Sequence, residues 1–200
     1  MGGVEPVIDR DTVRRFCEVG RDLFVTGAVS SHGGNLSERR GERIVITRRG
    51  SMLGRLGSGD VVWTELAACE RDAECSREIV VHRAIYEATE ARAIVHAHTL
   101  HTVWRSMISD VIEPIDSEGR YVLGTVPVVE ATTTIASPEA AALLAEALRA
   151  HPVAVLRTHG PFARGETLEE AFYHVSSLEA SCALLDLRDA SGRDGERTRA

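Results

Sequence analysis

The sequence lacks the features that mark several large classes of protein. It has no long basic run: the densest basic stretch, TRRGSMLGR, is short and isolated, and the formal net charge is -7. A chain with that balance is not expected to follow a phosphate backbone, so no nucleic-acid partner is expected. No stretch is long and apolar enough for a membrane span, and the opening MGGVEPVIDRD does not have the pattern of a signal peptide. These absences predict a cytoplasmic protein with no membrane partner. Cysteine is scarce and scattered: Cys17, Cys69, Cys75 and Cys182 form no CxxC pair, which argues against a cysteine zinc site and leaves free thiols in a reducing compartment. Internal repeats are also missing.

What is present is an alternation of helical and extended patterns sized for one domain. Hydrophobic residues make up 44% and charged residues 26% of the 200, enough for one sizeable core. Over about 11–26, Val13, Phe16, Cys17, Leu23 and Phe24 recur at helical spacing, with Asp9 or Asp11 as N-cap. A short strand, a hairpin turn at RRGE and a strand over 43–47 follow, then a strand over 60–64. Residues 76–89 read as a helix with Ile79, Val80, Ala84 and Ile85 on its apolar stripe, and ARAIVHAH and PVVEA read as strands. SPEAAALLAEALRA reads as a helix capped by Ser137, with Pro138 at the first position, where its missing N–H costs nothing. VAVLRT is an apolar strand running into HGPFARGE. TLEEAFYHVSSLEASCALLDL then opens with a capping box of Thr167 and Glu170. The polar tail over 189–200 is expected to be disordered, leaving one domain over 1–188. Intermixed helices and hairpin-linked strands predict a three-layer α/β or α+β domain.

The stretch AIVHAHTLHT sets His96, His98 and His101 into a run that otherwise reads as a buried strand. Side chains alternate along a strand, so His96 and His98 share a face, about 7 Å apart at Cα. Two imidazoles so placed are able to converge on one metal ion. His101 lies beyond the strand end and is expected to pack rather than ligate. The best third donor is His159, at the end of VAVLRT and before Gly160 and Pro161, because strand ends meeting at one sheet edge often build a site. Three histidines leave a coordination position open for substrate, the catalytic pattern. His32, His82, His151 and His174 are expected to be satisfied core residues. A carboxylate is needed for proton transfer, and Glu78 precedes the HAH strand by one helix. It suits equally well a helix N-terminal acid facing the dipole, and the pattern alone does not choose it over Glu74, Glu87 or Glu90.

GNLSER, IVITRRGSM, SREIVVH, AIVHAHTLHT and LRTHGPFARGETLEEAF occur in an order and spacing that resembles the class II aldolase/adducin-head family, over roughly 11–187. Within that family the resemblance is to the fuculose-phosphate aldolase type. It implies a three-layer α/β/α fold with a mostly antiparallel central sheet, and a homotetramer with sites at subunit interfaces. It places His96, His98 and His159 as ligands of Zn2+ or a related divalent ion such as Mn2+, Co2+ or Fe2+, and Glu78 as the acid/base group. Gly34, Asn35 and Ser37 of GGNLS, with Gly50, Ser76, Arg49 and Arg77, are implied to hold the phosphate or enediolate end of a small phosphorylated sugar. The implied reaction is that of a metal-dependent lyase: cleavage of a short ketose 1-phosphate to dihydroxyacetone phosphate and an aldehyde through a metal-stabilised enediolate.

The sequence departs from the fuculose type at its proton donor. The usual tyrosine is replaced near PIDSEGRY by Ser117, and no tyrosine follows Tyr173, so Glu118 or Tyr121 is the expected substitute. An acid near 118 resembles the dehydratases of the family. Arg49 and Arg77, where hydroxyl residues are usual, suit a carboxylate as well as a phosphate through their bidentate forks. Dehydration, 4-epimerisation and decarboxylation of related sugar phosphates are therefore alternatives. The alternative from a different class is a non-catalytic adducin-like interaction module that merely retains the fold, although adducin heads lack the metal histidines present in this sequence.

Overall fold

The chain is described here by a computed structural model, over residues 8–192. The hydrophobic pattern becomes a mixed eight-stranded sheet, in the order β3-β2-β1-β4-β8-β7-β6-β5. Its strands are β1 (Asn35–Arg40), β2 (Arg43–Thr47), β3 (Val61–Glu65), β4 (Ala93–His96), β5 (Val111–Ile112), β6 (Val126–Val129), β7 (Val153–Leu156) and β8 (Gly160–Gly165). The helices are α1 (Arg10–Val25), α2 (Ile79–Ala88), α3 (Leu100–Ile108), α4 (Ser117–Val122), α5 (Pro138–Ala150) and α6 (Leu168–Ala190).

Strand alternation divides the core in two. Val45, Val95, Val153 and Val155 face α1 and α6 through Phe16, Leu23, Val175 and Leu178. Their neighbours Ile44, Ile46, Ile94, Ala154 and Leu156 face α2 and α5 through Ile79, Ile85, Leu144 and Leu148. Burial on both faces explains why β4 and β7 read as continuous apolar runs. The sheet departs from the expected arrangement in one pairing: β6 and β7 run parallel, because α5 returns the chain in a crossover, whereas the other pairs are antiparallel.

Several boundaries shift for local reasons. β4 stops at His96, so His98 lies outside the strand. GPFARG, expected only as the continuation of VAVLRT, is strand β8, paired with both β4 and β7. Thr167 caps α6 by accepting from Glu170 N–H, but the Glu170 carboxylate reaches back to Glu166 N–H, one residue short of a capping box. α6 continues to Ala190, past the boundary expected at 188, and residues 193–200 of the expected tail lie outside the described residues. No helix among the described residues is long and apolar enough to cross a membrane.

Candidate metal and acid/base site

The site forms where the ends of β4, β1 and β8 come together. His96 is the last residue of β4 and pairs with Asn35 on one side and Phe162 on the other. Its ring lies flat on Phe162, with centroids 3.9 Å apart, and its Nδ1 faces the Pro161 carbonyl at 2.9 Å. A carbonyl only accepts, so Nδ1 carries the proton and the Nε2 lone pair points the other way. His159 is fixed in the same manner by the Thr134 carbonyl at 2.8 Å. The two free Nε2 atoms are 3.2 Å apart, and His98 Nε2 lies 3.0 Å from that of His96.

His98 reaches this point from a loop rather than from the alternation of a strand. Its N–H donates to the Ala28 carbonyl, which turns the chain after β4. Gly160 permits the close approach of the other arm: a Cβ there would lie 2.1 Å from the Ala97 carbonyl oxygen. Gly34, with φ +76, passes the His96 carbonyl in the same way, and its Cβ would lie 2.7 Å from that oxygen.

Lone pairs on ring nitrogens repel one another unless a proton or a cation lies between them. Burial, and then the neighbouring rings, hold His96 far below the ordinary imidazole range. Burial also lowers His98 to about 4 and lowers His159. All three are therefore neutral donors near pH 7, the form that binds metal. Their ligand atoms lie within 4.8 Å of one another, and the donor set fits a divalent ion of the zinc type with a position left open.

Glu78 opens onto the same cavity, which measures about 330 Å³. It is the N-cap residue of α2, but its side chain makes no capping bond. Instead Oε1 accepts from Ala136 N–H at 3.1 Å, while Oε2 is buried without a hydrogen-bond partner. Burial pushes the carboxyl up to about 7, against the smaller opposing pull of the Ala136 N–H. Glu74, by contrast, is exposed and paired with Arg48. The loop between β6 and α5 thus holds a histidine by Thr134 and the acid by Ala136, and Ala136 adopts a left-handed φ of 53° to do so.

Of the substrate contacts expected from the sequence, Gly34, Asn35, Arg49, Gly50, Ser76 and Arg77 line this cavity. Ser37 does not: it is wholly buried, with Oγ 2.6 Å from His82 Nδ1 and 2.7 Å from the Tyr86 hydroxyl. Asn35, two positions earlier in the motif, ends β1 at the cavity, whereas Ser37 lies further along the strand and under α2. Glu118 and Tyr121 are not brought to the histidines either. They sit on α4, which packs on α6; Glu118 faces Ser177 and Tyr121 is 92% exposed. His101 binds Asp186 on α6 at 2.6 Å and is a packing residue, as its place beyond the strand suggested. His32, expected in the core, is exposed at the cavity instead. Thr47, Ser51 and Ile135 also line the cavity. Their signal was weak, because each comes from a segment whose position depends on non-local pairing.

The fold and this arrangement define a class, and similarity to known proteins agrees: the chain belongs to the Class II Aldolase and Adducin N-terminal domain family, which residues 14–185 match. The L-fuculose phosphate aldolase of Methanocaldococcus jannaschii is 32% identical over 180 residues, covering 87% of this chain and 96% of that protein. The methylthioribulose-1-phosphate dehydratase of Acidiphilium cryptum is 31% identical over 181 residues, covering 83% of this chain and 85% of that one. Among solved structures, the L-fuculose-1-phosphate aldolase of Thermus thermophilus superposes with a TM-score of 0.86 at 37% identity, over 94% of this chain and 98% of its own.

Proposed function

We propose that the protein is a divalent-metal-dependent lyase that cleaves a short ketose 1-phosphate to dihydroxyacetone phosphate and an aldehyde. The observation that carries this reading is the pairing, in one cavity, of three converging neutral imidazoles with a buried carboxyl whose Oε2 is free. Breaking the bond between C3 and C4 leaves negative charge on the ketone fragment, which must be stabilised. The 200 residues include no lysine, so no side-chain amine is available for a Schiff base. His96, His98 and His159 would hold a divalent ion, which as a Lewis acid supplies the positive charge that such a fragment needs.

The remaining steps belong to the chain's own groups. Glu78 Oε2 exchanges a proton with the carbon of the ketone fragment, while Ala136 N–H keeps Oε1 occupied and so fixes which oxygen reacts. Arg49, Gly50, Ser76, Arg77 and the Gly34–Asn35 backbone surround the phosphate end. Arg77 has no ion-pair partner among the described residues, which leaves its guanidinium free for an anion.

In cleavage the C4 hydroxyl loses its proton as the aldehyde forms, and the group that takes this proton, and donates it back in the condensation direction, comes in this reading from a neighbouring copy. Tyr121 and Glu118 on α4 are exposed and do not line their own cavity, so in this reading they serve a neighbour's cavity in a homotetramer with sites at subunit interfaces. A dehydratase reading is favoured by the similarity to a methylthioribulose-1-phosphate dehydratase. It needs the same three histidines and the same base, but expels water in place of an aldehyde. A product screen with purified, zinc-loaded protein against ketose 1-phosphates separates the two. Release of dihydroxyacetone phosphate supports the aldolase, loss of water without carbon–carbon cleavage supports the dehydratase, and neither product on any ketose phosphate overturns the proposal.

A further inference from the structure

Behind the cavity wall a row of four polar side chains runs through an otherwise apolar core. Tyr86 and His82 on α2 and Ser37 on β1 are 0% exposed, and Asn35 is 5% exposed. The Tyr86 hydroxyl lies 2.7 Å from Ser37 Oγ, Ser37 Oγ lies 2.6 Å from His82 Nδ1, and His82 Nε2 lies 2.6 Å from Asn35 Oδ1. Tyr86 ends the row in the core, and Asn35 ends it at the cavity.

Only one order of protons satisfies every donor. If Tyr86 donates to Ser37, Ser37 donates to His82 Nδ1, and His82 Nε2–H then donates to Asn35 Oδ1. The reverse order would leave the buried Tyr86 hydroxyl proton with no acceptor among the described residues, and a buried unmade bond costs about 1–3 kcal/mol. Burial also lowers His82 to about 3, which keeps the ring neutral and the order intact. With Oδ1 occupied from behind, Asn35 has only its two amide N–H groups to offer toward the cavity. A carboxamide without that anchor would turn its carbonyl oxygen to the cavity for part of the time and repel an anion.

We propose that His82, held by Ser37 and Tyr86, is a positioning residue that makes Asn35 a donor-only contact for an anionic oxygen of the substrate. The assignment rests on the sugar-phosphate reading of the cavity. Its test is helped by composition: Asn35 is the only asparagine and the chain has no glutamine, so a 15N–1H spectrum contains a single side-chain carboxamide NH2 pair. In zinc-loaded full-length protein, Ser37→Ala and His82→Leu should each shift that pair and speed its hydrogen exchange. Both should weaken binding of dihydroxyacetone phosphate, measured by calorimetry, by about tenfold, the loss of one good hydrogen bond to charge. His82→Gln, which is able to donate to Asn35 and accept from Ser37, should restore both readouts, with asparagine-selective 15N labelling keeping the Asn35 pair apart from the new glutamine pair. Ser37→Ala added to Asn35→Ala should weaken binding no further than Asn35→Ala alone. Ser37→Ala is a small change on a central strand and keeps the test usable where His82→Leu fails to fold. An NH2 pair unmoved by Ser37→Ala, or fully additive losses, overturns the proposal. If the wild-type protein fails to bind dihydroxyacetone phosphate, the sugar-phosphate reading falls, and the NH2 pair still decides whether His82 positions Asn35.

Discussion

The two oxygens of Glu78 have unequal surroundings, and that inequality sets its chemistry. Oε1 is anchored by Ala136 N–H and Oε2 is buried without a partner, so desolvation raises the carboxyl from 4.5 to about 7. A carboxyl that titrates near neutrality is matched to moving protons there. In metal-free protein the 13C signal of the Glu78 carboxyl should titrate near pH 7, with the carboxylate gaining as pH rises. A divalent ion in the same cavity favours the charged form, so zinc should move that midpoint down. A midpoint near the ordinary 4.5 in the metal-free protein would show that Oε2 is solvated. Glu78→Gln keeps the shape but removes the base, and turnover should fall by about 10²–10⁴. Zinc content, measured by competition with a chelator, should stay unchanged, because the three ring nitrogens do not depend on Glu78. His96→Ala should instead cost zinc affinity, by more than the about 10–100-fold typical of an outer partner.

At the scale of elements, the site is made where regular structure stops. Ala136 and Thr158 hold left-handed φ angles of 53° and 62°, one at the acid's anchor and the other just before His159. Such a conformation is costly for a β-branched residue and is kept where the surroundings over-determine it. Thr158→Gly should therefore raise thermal stability slightly, by up to about 1 kcal/mol, while loosening His159 and weakening zinc binding. Equal or higher zinc affinity would mean that the strain does not serve the ligand. Ser137 caps α5 by accepting from Ala140 N–H and also donates to the Thr133 carbonyl, so it ties the helix to the loop. Ser137→Ala should cost about 1 kcal/mol in chemical denaturation. The same division explains what the sequence shows on its own. α1, β2 and α5 were legible because periodicity and caps are local, and Pro138 with Ser137 marked a helix start to the residue. His96, His98 and His159 were legible because imidazole in apolar strand ends is a chemical anomaly. Thr134 and Ala136 were not, since they act through backbone carbonyl and N–H groups that every residue carries. Nor was the burial of Ser37, which depends on the partners that α2 brings, 45 and 49 positions away. α3 escaped notice because its outer face is apolar, which blurs the helical stripe.

For the whole molecule, two consequences follow from how charge and apolar surface are distributed. Folding holds His82 at about 3, His98 at about 4 and His96 well below its ordinary 6.5, so below that value the unfolded chain binds protons that the native chain refuses. Stability of the metal-free protein from these groups therefore falls as pH drops below about 6.5, by about 1.4 kcal/mol per histidine for each fully coupled unit. Glu78 opposes this, since its raised value means the native state takes up a proton first, but one group works against three. Urea midpoints at about pH 7.5 and 5.5, on either side of the ordinary imidazole value, should show a net loss. The second consequence concerns assembly. Leu100, Trp104 and Ile108 lie at i, i+4 and i+8 on α3 and are 73%, 51% and 53% exposed, a continuous apolar stripe that an isolated monomer rarely shows. If a second copy covers it, the exposed Glu118 and Tyr121 are the groups positioned to reach a neighbour's cavity. Trp104→Glu should then lower the mass measured by light scattering and abolish turnover while leaving zinc bound, because all three histidines come from one chain. A sharper test mixes two inactive proteins, His96→Ala and the double variant Glu118→Gln/Tyr121→Phe. In a cyclic assembly formed from equal amounts, a cavity with intact histidines meets a neighbour with an intact donor in about one quarter of positions, so about one quarter of wild-type turnover per subunit should return. No recovery would place the donor on the same chain as the histidines, and activity in the double variant alone would show that neither side chain is the donor.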